Sequence, residues 1–285
     1  MQIIETISGL RVALKNQADI AFVPTMGNLH AGHMQLVESA KKHSAMVVVS
    51  IFVNPLQFGP NEDLANYPRT LEADIAKLAA VGVNVLFIPS VSEMYPDFDG
   101  KNLNQTMVIQ PPAIADMLCG ASRPGHFAGV ATVVLKLLNV VRPTIAIFGQ
   151  KDFQQLFIIQ QLVQQFNLPI EIIAEPTVRE ADCLAMSSRN SYLSADERMA
   201  APLLSKMLLN IKLAITSGNY DYASLEQQAT EQLERAGWVV DYISVREMAS
   251  LLPPPTQLKN HAELIILGAA RLGKTRLIDN LIIQI

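Results

Sequence analysis

The chain is short of several things, and each shortage narrows what it does. Its 285 residues include two cysteines, Cys119 and Cys183, too few for the disulfide framework of a small secreted domain. Only 17% of residues are charged while half are hydrophobic, which excludes a disordered chain and leaves ample apolar surface for a core. Positive charge is not in excess: 22 Lys and Arg stand against 26 Asp and Glu, for a net charge of −4 and a pI of about 5.8. That balance argues against a nucleic-acid backbone as partner. No apolar run approaches the ~20 residues that span a bilayer. The opening Met1–Thr6 has neither the basic flank nor the apolar length of a signal peptide. No internal repeat interrupts the chain. The expectation is a cytoplasmic protein with neither membrane nor nucleic-acid partners, holding one large domain or two smaller ones.

What is present is an alternation. Short apolar runs at 20–23, 46–53, 83–88, 144–148 and 170–174 read as buried strands. Between them, 34–40, 70–80, 127–141 and 152–166 carry apolar residues at helical spacing. The helix over 127–141 stops before Pro143. Strands alternating with helices of this length predict βαβ units and a parallel sheet. Beyond Pro176 the texture changes. Ser194-Ala195-Asp196-Glu197 is a capping box opening a long helix toward Gly218. A second helix is predicted over 222–236, then strands at 238–245, 263–267 and 275–283. The expected organisation is an α/β domain over residues 1–177 and a smaller α+β domain over 178–285.

In an open parallel sheet, ligands sit at the carboxyl ends of the strands, and four polar clusters fall at such ends. Pro24-Thr25-Met26-Gly27-Asn28-Leu29-His30-Ala31-Gly32-His33 runs from a strand through a glycine turn into a helix. That geometry aims N–H groups and the positive helix end at one spot, as phosphate requires. The two histidines add donors that change charge near neutral pH. The second cluster is Asn54-Pro55-Leu56-Gln57-Phe58-Gly59. The third is Gly149-Gln150-Lys151-Asp152-Phe153-Gln154-Gln155. The fourth is Met186-Ser187-Ser188-Arg189-Asn190. Each alone reads as an ordinary turn or a solvated pair. Together they offer histidines, a lysine, an arginine, hydroxyls and amides, with no cluster suited to a tightly held metal. This inventory suits polyphosphate binding and electrostatic catalysis.

With Arg123-Pro124-Gly125-His126-Phe127 added, these segments resemble, in order and spacing and over essentially the whole chain, the pantothenate synthetases. These are ATP-dependent ligases of the HxGH nucleotidylyltransferase group, related in fold to class I aminoacyl-tRNA synthetases. The resemblance implies a Rossmann-like parallel sheet with helices on both faces. It also implies a reaction joining pantoate to β-alanine with ATP as substrate, AMP and pyrophosphate as products, and a pantoyl adenylate between them. Met26, Gly27, Asn28, Leu29, His30, Ala31, Gly32 and His33 would then hold ATP. His33 would act as proton donor and phosphate stabiliser, beside His30 and Lys151. Gly149, Gln150, Lys151, Asp152, Val178, Met186, Ser187, Ser188 and Arg189 would hold the rest of the nucleotide, the last four standing in for the mobile KMSKS loop of the synthetases. Gln57 and Gln155 would bind pantoate, with Gln57 also on the β-alanine side. Mg²⁺ would bridge phosphate oxygens, with Asp152 its one suggested ligand. A homodimer is the family's habit.

Two positions depart from the family pattern. Gln150 stands where Glu is common and is expected to serve through its backbone. Cys183 stands where Gly is usual, so the local turn is expected to differ and the thiol to be a small buried residue. His43 and His261 are expected at the surface, and Trp238 in the second module's core. Arg123 and His126 border the site in a role left open. Three rival readings remain, one of them a nucleotide-binding regulatory or scaffold protein that would bind ATP without turnover. Another nucleotidylyltransferase would share the histidines but want more basic residues. Gly268-Ala269-Ala270-Arg271-Leu272-Gly273-Lys274-Thr275 matches the spacing of a phosphate-binding P-loop. The ten residues after Thr275 read as a strand, where a P-loop needs a helix and a further strand.

Overall fold

Residues Ala21–Thr25 and Val47–Ile51 lie side by side at the middle of a six-stranded sheet. The computed structural model describes residues 1–59, 62, 64–65, 67–255 and 263–284. His261 lies outside them. Two compact units emerge: Met1–Gln150 with Gln154–Pro176, and Lys151–Phe153 with Thr177–Ile285.

The first unit is built from β1 (Gln2–Ile4), α1 (Ile7–Leu14), β2 (Ala21–Thr25), α2 (Ala31–His43), β3 (Val47–Ile51), α3 (Leu71–Ala80) and β4 (Val85–Phe87). After these come α4 (Val91–Met94), α5 (Cys119–Ser122), α6 (His126–Val141), β5 (Ile145–Gly149), α7 (Phe153–Gln165, whose first residue falls in the other unit) and β6 (Glu171–Glu175). All pairings are parallel, in the order β1-β4-β3-β2-β5-β6. Every residue of β3 is buried, as its unbroken Val-Val-Val-Ser-Ile run demands. Val23, Val49 and Ile51 face Leu29, Val37 and Leu78 in one core cluster. The parallel sheet and alternating helices match the expected fold class. The opening strand β1 is an element that the sequence reading did not resolve.

One strand extends past its expected limit for a reason. The strand beginning near Ile20 continues through Pro24 to Thr25. Ala21 N–H donates to Met46 O, and Thr25 O accepts from Phe52 N–H, so these residues face β3. Pro24, one place out of phase, turns its missing N–H toward β5. There the pairing has already stopped: β2 and β5 match only at Ala21 with Ile145 and Phe22 with Ala146.

The second unit contains α8 (Ala195–Ala200), α9 (Leu203–Thr216), α10 (Tyr222–Arg235) and the antiparallel strands β7 (Val239–Glu247), β8 (Glu263–Leu272) and β9 (Thr275–Gln284). The capping box is present, with Ser194 Oγ accepting from Glu197 N–H at 3.2 Å and Glu197 Oε2 accepting from Ser194 N–H at 2.8 Å. The single long helix expected from Ser194 toward Gly218 is instead two, α8 and α9, separated at Ala201–Pro202. Pro202 lacks the N–H that would continue the first ladder. The stretch Ala195–Thr216 is long and apolar enough to cross a membrane by length and composition alone. Its Leu204, Met207, Leu208, Ile211 and Ile215 are nevertheless packed into this unit's core, with Trp238, Ile266 and Leu277. The P-loop reading falls here. Gly268 to Leu272 is strand, Gly273–Lys274 is the hairpin turn, and Thr275 begins β9.

Candidate active site

In the first unit the strand order reverses between β2 and β5, the position where doubly wound sheets bind ligands. The two strands part after Phe22, so a crevice opens between their carboxyl ends. Three of the clusters leave from this edge: Met26–His33 after β2, Asn54–Gln57 after β3, and Gln150 after β5.

The turn from β2 into α2 is held from below. Gly27 and Asn28 have φ of +84° and +50°, the left-handed region that glycine and asparagine tolerate best. Asp74, on α3 and 1% exposed, accepts the N–H of Asn28 at 2.8 Å and of Leu29 at 2.9 Å. Lys77 Nζ donates to Leu29 O at 2.6 Å. The motif itself caps the helix. His30 Nδ1 accepts from Gly32 N–H at 3.1 Å, and His33 Nδ1 accepts from His30 N–H at 3.3 Å. A ring nitrogen that accepts carries no proton, so each neutral imidazole keeps its proton on Nε2. The ring centroids stand 4.1 Å apart. Two Nε2–H donors are therefore fixed at the positive end of a 13-residue helix.

Gln57 ends a short 3₁₀ turn, Pro55–Gln57, capped by Asn54. Asn54 is buried, and its Nδ2 donates to Gln57 Oε1 at 3.1 Å and to Gly129 O at 3.3 Å. Tyr95 Oη donates to Asn54 Oδ1 at 2.5 Å. Burial pushes the Tyr95 phenol well above its ordinary range, so it stays a donor. With Oε1 engaged, Gln57 presents Nε2, which lies 3.1 Å from Met26 Sδ. The close approach of this turn to α6 requires Gly129, where a Cβ would lie 2.4 Å from Leu56 O and 2.7 Å from Gln57 Cα.

Arg123 and His126 act on the same turn. Arg123 clasps Glu62 with two bonds of 2.6 Å and donates to His126 Nε2 at 2.9 Å. His126 Nδ1 in turn donates to Gln57 O at 2.9 Å, the direction an arginine donor imposes. Gln155 is half-buried on α7. Its neighbour Gln154 is buried and serves the scaffold, donating to Ile114 O and Met117 O and accepting from Cys119 N–H.

In the second unit, Lys151 Nζ lies 3.9 Å from Asp152 Oδ2 in a 3₁₀ turn, Gln150–Asp152. Val178 O accepts from Met186 N–H, and Arg179 bridges Ala185 in antiparallel fashion. Ser187 Oγ caps the 3₁₀ helix Ser188–Tyr192 by accepting from Arg189 N–H at 3.2 Å. Cys183 corrects both expectations made for it. It is exposed, and it adopts the glycine-like conformation at φ +71°, because its N–H closes a turn onto Glu180 O and its carbonyl is held by Arg179.

Sequence reasoning gathered the loops but missed their supports, Asp74, Tyr95, Gly129 and Arg179. An isolated glycine within the helical run 127–141 was the one visible signal.

The fold and this arrangement define a doubly wound α/β protein with a histidine-capped helix N-terminus at its switch point. The family model for pantoate-beta-alanine ligase matches residues 2–282, and the chain belongs to that family. It is 57% identical to the pantothenate synthetase of Methylobacillus flagellatus over 99% of this chain and 98% of that one. It is 54% identical to the Thiobacillus denitrificans protein of the same name, over 99% and 96%. Pantothenate synthetase from Thermus thermophilus superposes with a TM-score of 0.90 at 42% identity, covering 99% of both chains. The Francisella tularensis pantoate-beta-alanine ligase, complexed with beta-gamma ATP and beta-alanine, superposes at 0.81 with 37% identity, over 99% of this chain and 97% of that one. These matches do not favour another nucleotidylyltransferase.

Proposed function

We propose that this chain joins pantoate to β-alanine in two steps, with ATP as the activating substrate. A pantoate carboxylate oxygen attacks the α-phosphorus of ATP, pyrophosphate leaves, and a pantoyl adenylate forms. The amine of β-alanine then attacks the acyl carbon, AMP leaves with the bonding pair, and the amine gives up a proton. No protein nucleophile takes part, so catalysis is positioning and charge neutralisation.

The observation that carries this reading is the pair of Nε2–H donors fixed at the α2 N-terminus, beside the parting of β2 and β5. Met26 to His33 bind the phosphates, with His33 as the proton-donating stabiliser of the leaving pyrophosphate. Gly149 to Asp152, Val178 and Met186 to Arg189 bind the remainder of the nucleotide. Gln57 and Gln155 bind pantoate as neutral donors, which leaves the carboxylate nucleophilic where an arginine would blunt it.

Among the described residues no three His, Cys, Asp or Glu side chains group to cage a metal. A single carboxylate suits Mg²⁺ arriving on the phosphates with its own waters; Asp152 would hold it, and the ion would neutralise phosphate charge. A cytoplasmic homodimer completes the proposal, read by light scattering at assay concentration.

The test is ATP–pyrophosphate exchange before β-alanine is added. Exchange that depends on pantoate supports adenylate formation; exchange without pantoate, or ADP as product, overturns it. His33→Ala should reduce exchange by roughly 100-fold or more.

A further inference from the structure

The last strand of the chain reaches back to the segment that carries Lys151. Asn280 Nδ2 donates to the main-chain oxygen of Lys151 at 2.9 Å, across 129 residues of sequence. Lys151–Phe153 accordingly belongs with Thr177–Ile285, although Gln150 and Gln154 on either side belong to the first unit. Asn280 and its neighbour Asp279 are each 4% exposed. They interrupt a strand otherwise rich in Ile and Leu, at positions where Asn and Asp are poor strand formers. Local rules broken in a buried strand mark a functional demand.

Asp279 meets that demand on a second segment. It takes two hydrogen bonds of 2.8 Å from Arg179, which also donates to Asn280 O at 3.0 Å and to Cys183 O at 2.9 Å. Arg179 begins the turn that leads through Ala185 to Met186–Arg189. Two adjacent residues of β9 thus hold both the lysine segment and the base of the serine–arginine segment.

We infer that Asn280 is a positioning residue for Lys151, fixing the lysine's main chain so that its ammonium meets the nucleotide phosphates in register with Met186–Arg189. This rests on the ligase reading above. The physical reason is geometric. A lysine ammonium on four methylenes reaches many places, and catalysis by charge neutralisation tolerates little misplacement. Anchoring the carbonyl removes the backbone share of that freedom.

The experiment measures pantoate-dependent ATP–pyrophosphate exchange in the full-length protein, for wild type, Asn280→Asp, Asn280→Ala, Lys151→Ala and the double variant Lys151→Ala/Asn280→Asp. Asn280→Asp keeps the volume, removes the donor and sets two acceptors face to face. The exchange kcat should fall about tenfold or more, while the pantoate KM stays within roughly twofold, since Gln57 and Gln155 are untouched. In the Lys151→Ala background the same change should add less than about twofold, because the group being positioned is gone. Wild-type rates in Asn280→Asp, or a loss that multiplies fully with Lys151→Ala, would overturn the inference. Thermal unfolding midpoints report folding, and Asn280→Ala or Asn280→Ser takes the place of a variant that does not fold. Absence of pantoate-dependent exchange in wild type sinks the ligase reading itself, and the inference with it.

Discussion

The carboxylate of Asp74 accepts the main-chain N–H of Asn28 at 2.8 Å, joining α3 to the turn before α2 across 46 residues of sequence. Its other oxygen accepts Leu29 N–H, so one buried side chain satisfies two donors of a left-handed turn. Asp74→Ala removes the buried acceptor of both N–H groups, which costs about 2–5 kcal/mol. Urea unfolding should show that loss, and the KM for ATP should rise more than the KM for pantoate. Asp74→Asn, which keeps one oxygen, should lose less on both counts.

Gly129 tests the other wall. A methyl there meets main-chain atoms of Leu56 and Gln57, which cannot swing aside as a side-chain tip does. Gly129→Ala should destabilise the protein by about 1–3 kcal/mol and raise the pantoate KM, with the ATP KM nearly unchanged. Equal effects on both substrates would contradict the placement of Gln57.

Tyr95→Phe removes the donor that steadies Asn54 Oδ1, and with it part of what orients the Gln57 carboxamide. Loss of a buried hydrogen bond of this kind costs roughly 1–2 kcal/mol, expected here as a several-fold drop in kcat. Because burial holds the phenol protonated well beyond its ordinary range, the ratio of wild-type to variant rate should be flat from about pH 7 to about pH 10.

The Glu62–Arg123 clasp gives an acid limit. Burial pushes the Glu62 carboxyl up, but the bonds and charge of Arg123, with His126 and the Gly59 backbone nearby, outweigh it and hold the carboxyl below its ordinary value. A folded-state pKa below the unfolded one stabilises fully above the unfolded value and ceases to as pH falls through the folded value. The stability gap between wild type and Glu62→Gln should therefore be widest near neutrality and close below about pH 4. Denaturant titrations of both proteins at several pH values measure it.

The parallel sheet, the two histidines at a helix entrance and the loops at strand ends were all legible in the sequence, because each is written in contiguous residues; that the histidines cap the helix was not. Ser194 and Glu197 declare a helix start by their spacing alone. What stayed hidden was written across the chain. Nothing near Asp74 in sequence says that it serves Asn28, and nothing near Asn280 names Lys151. The break at Pro202 lost to strong helical periodicity on both sides. Cys183 was expected to avoid φ > 0 on intrinsic grounds, but the turn closed by Glu180 and the grip of Arg179 override that preference. The three-residue β1 is too short to show any period.

Pro24 acts on the crevice through what it lacks. Its ring nitrogen faces β5 with no hydrogen to offer, so the seam beside the histidines has no latch on that side. At this position the sheet forgoes one ladder hydrogen bond through a missing atom. Any residue with an N–H at position 24 would offer β5 a donor that proline withholds, beside the turn that carries the two histidines.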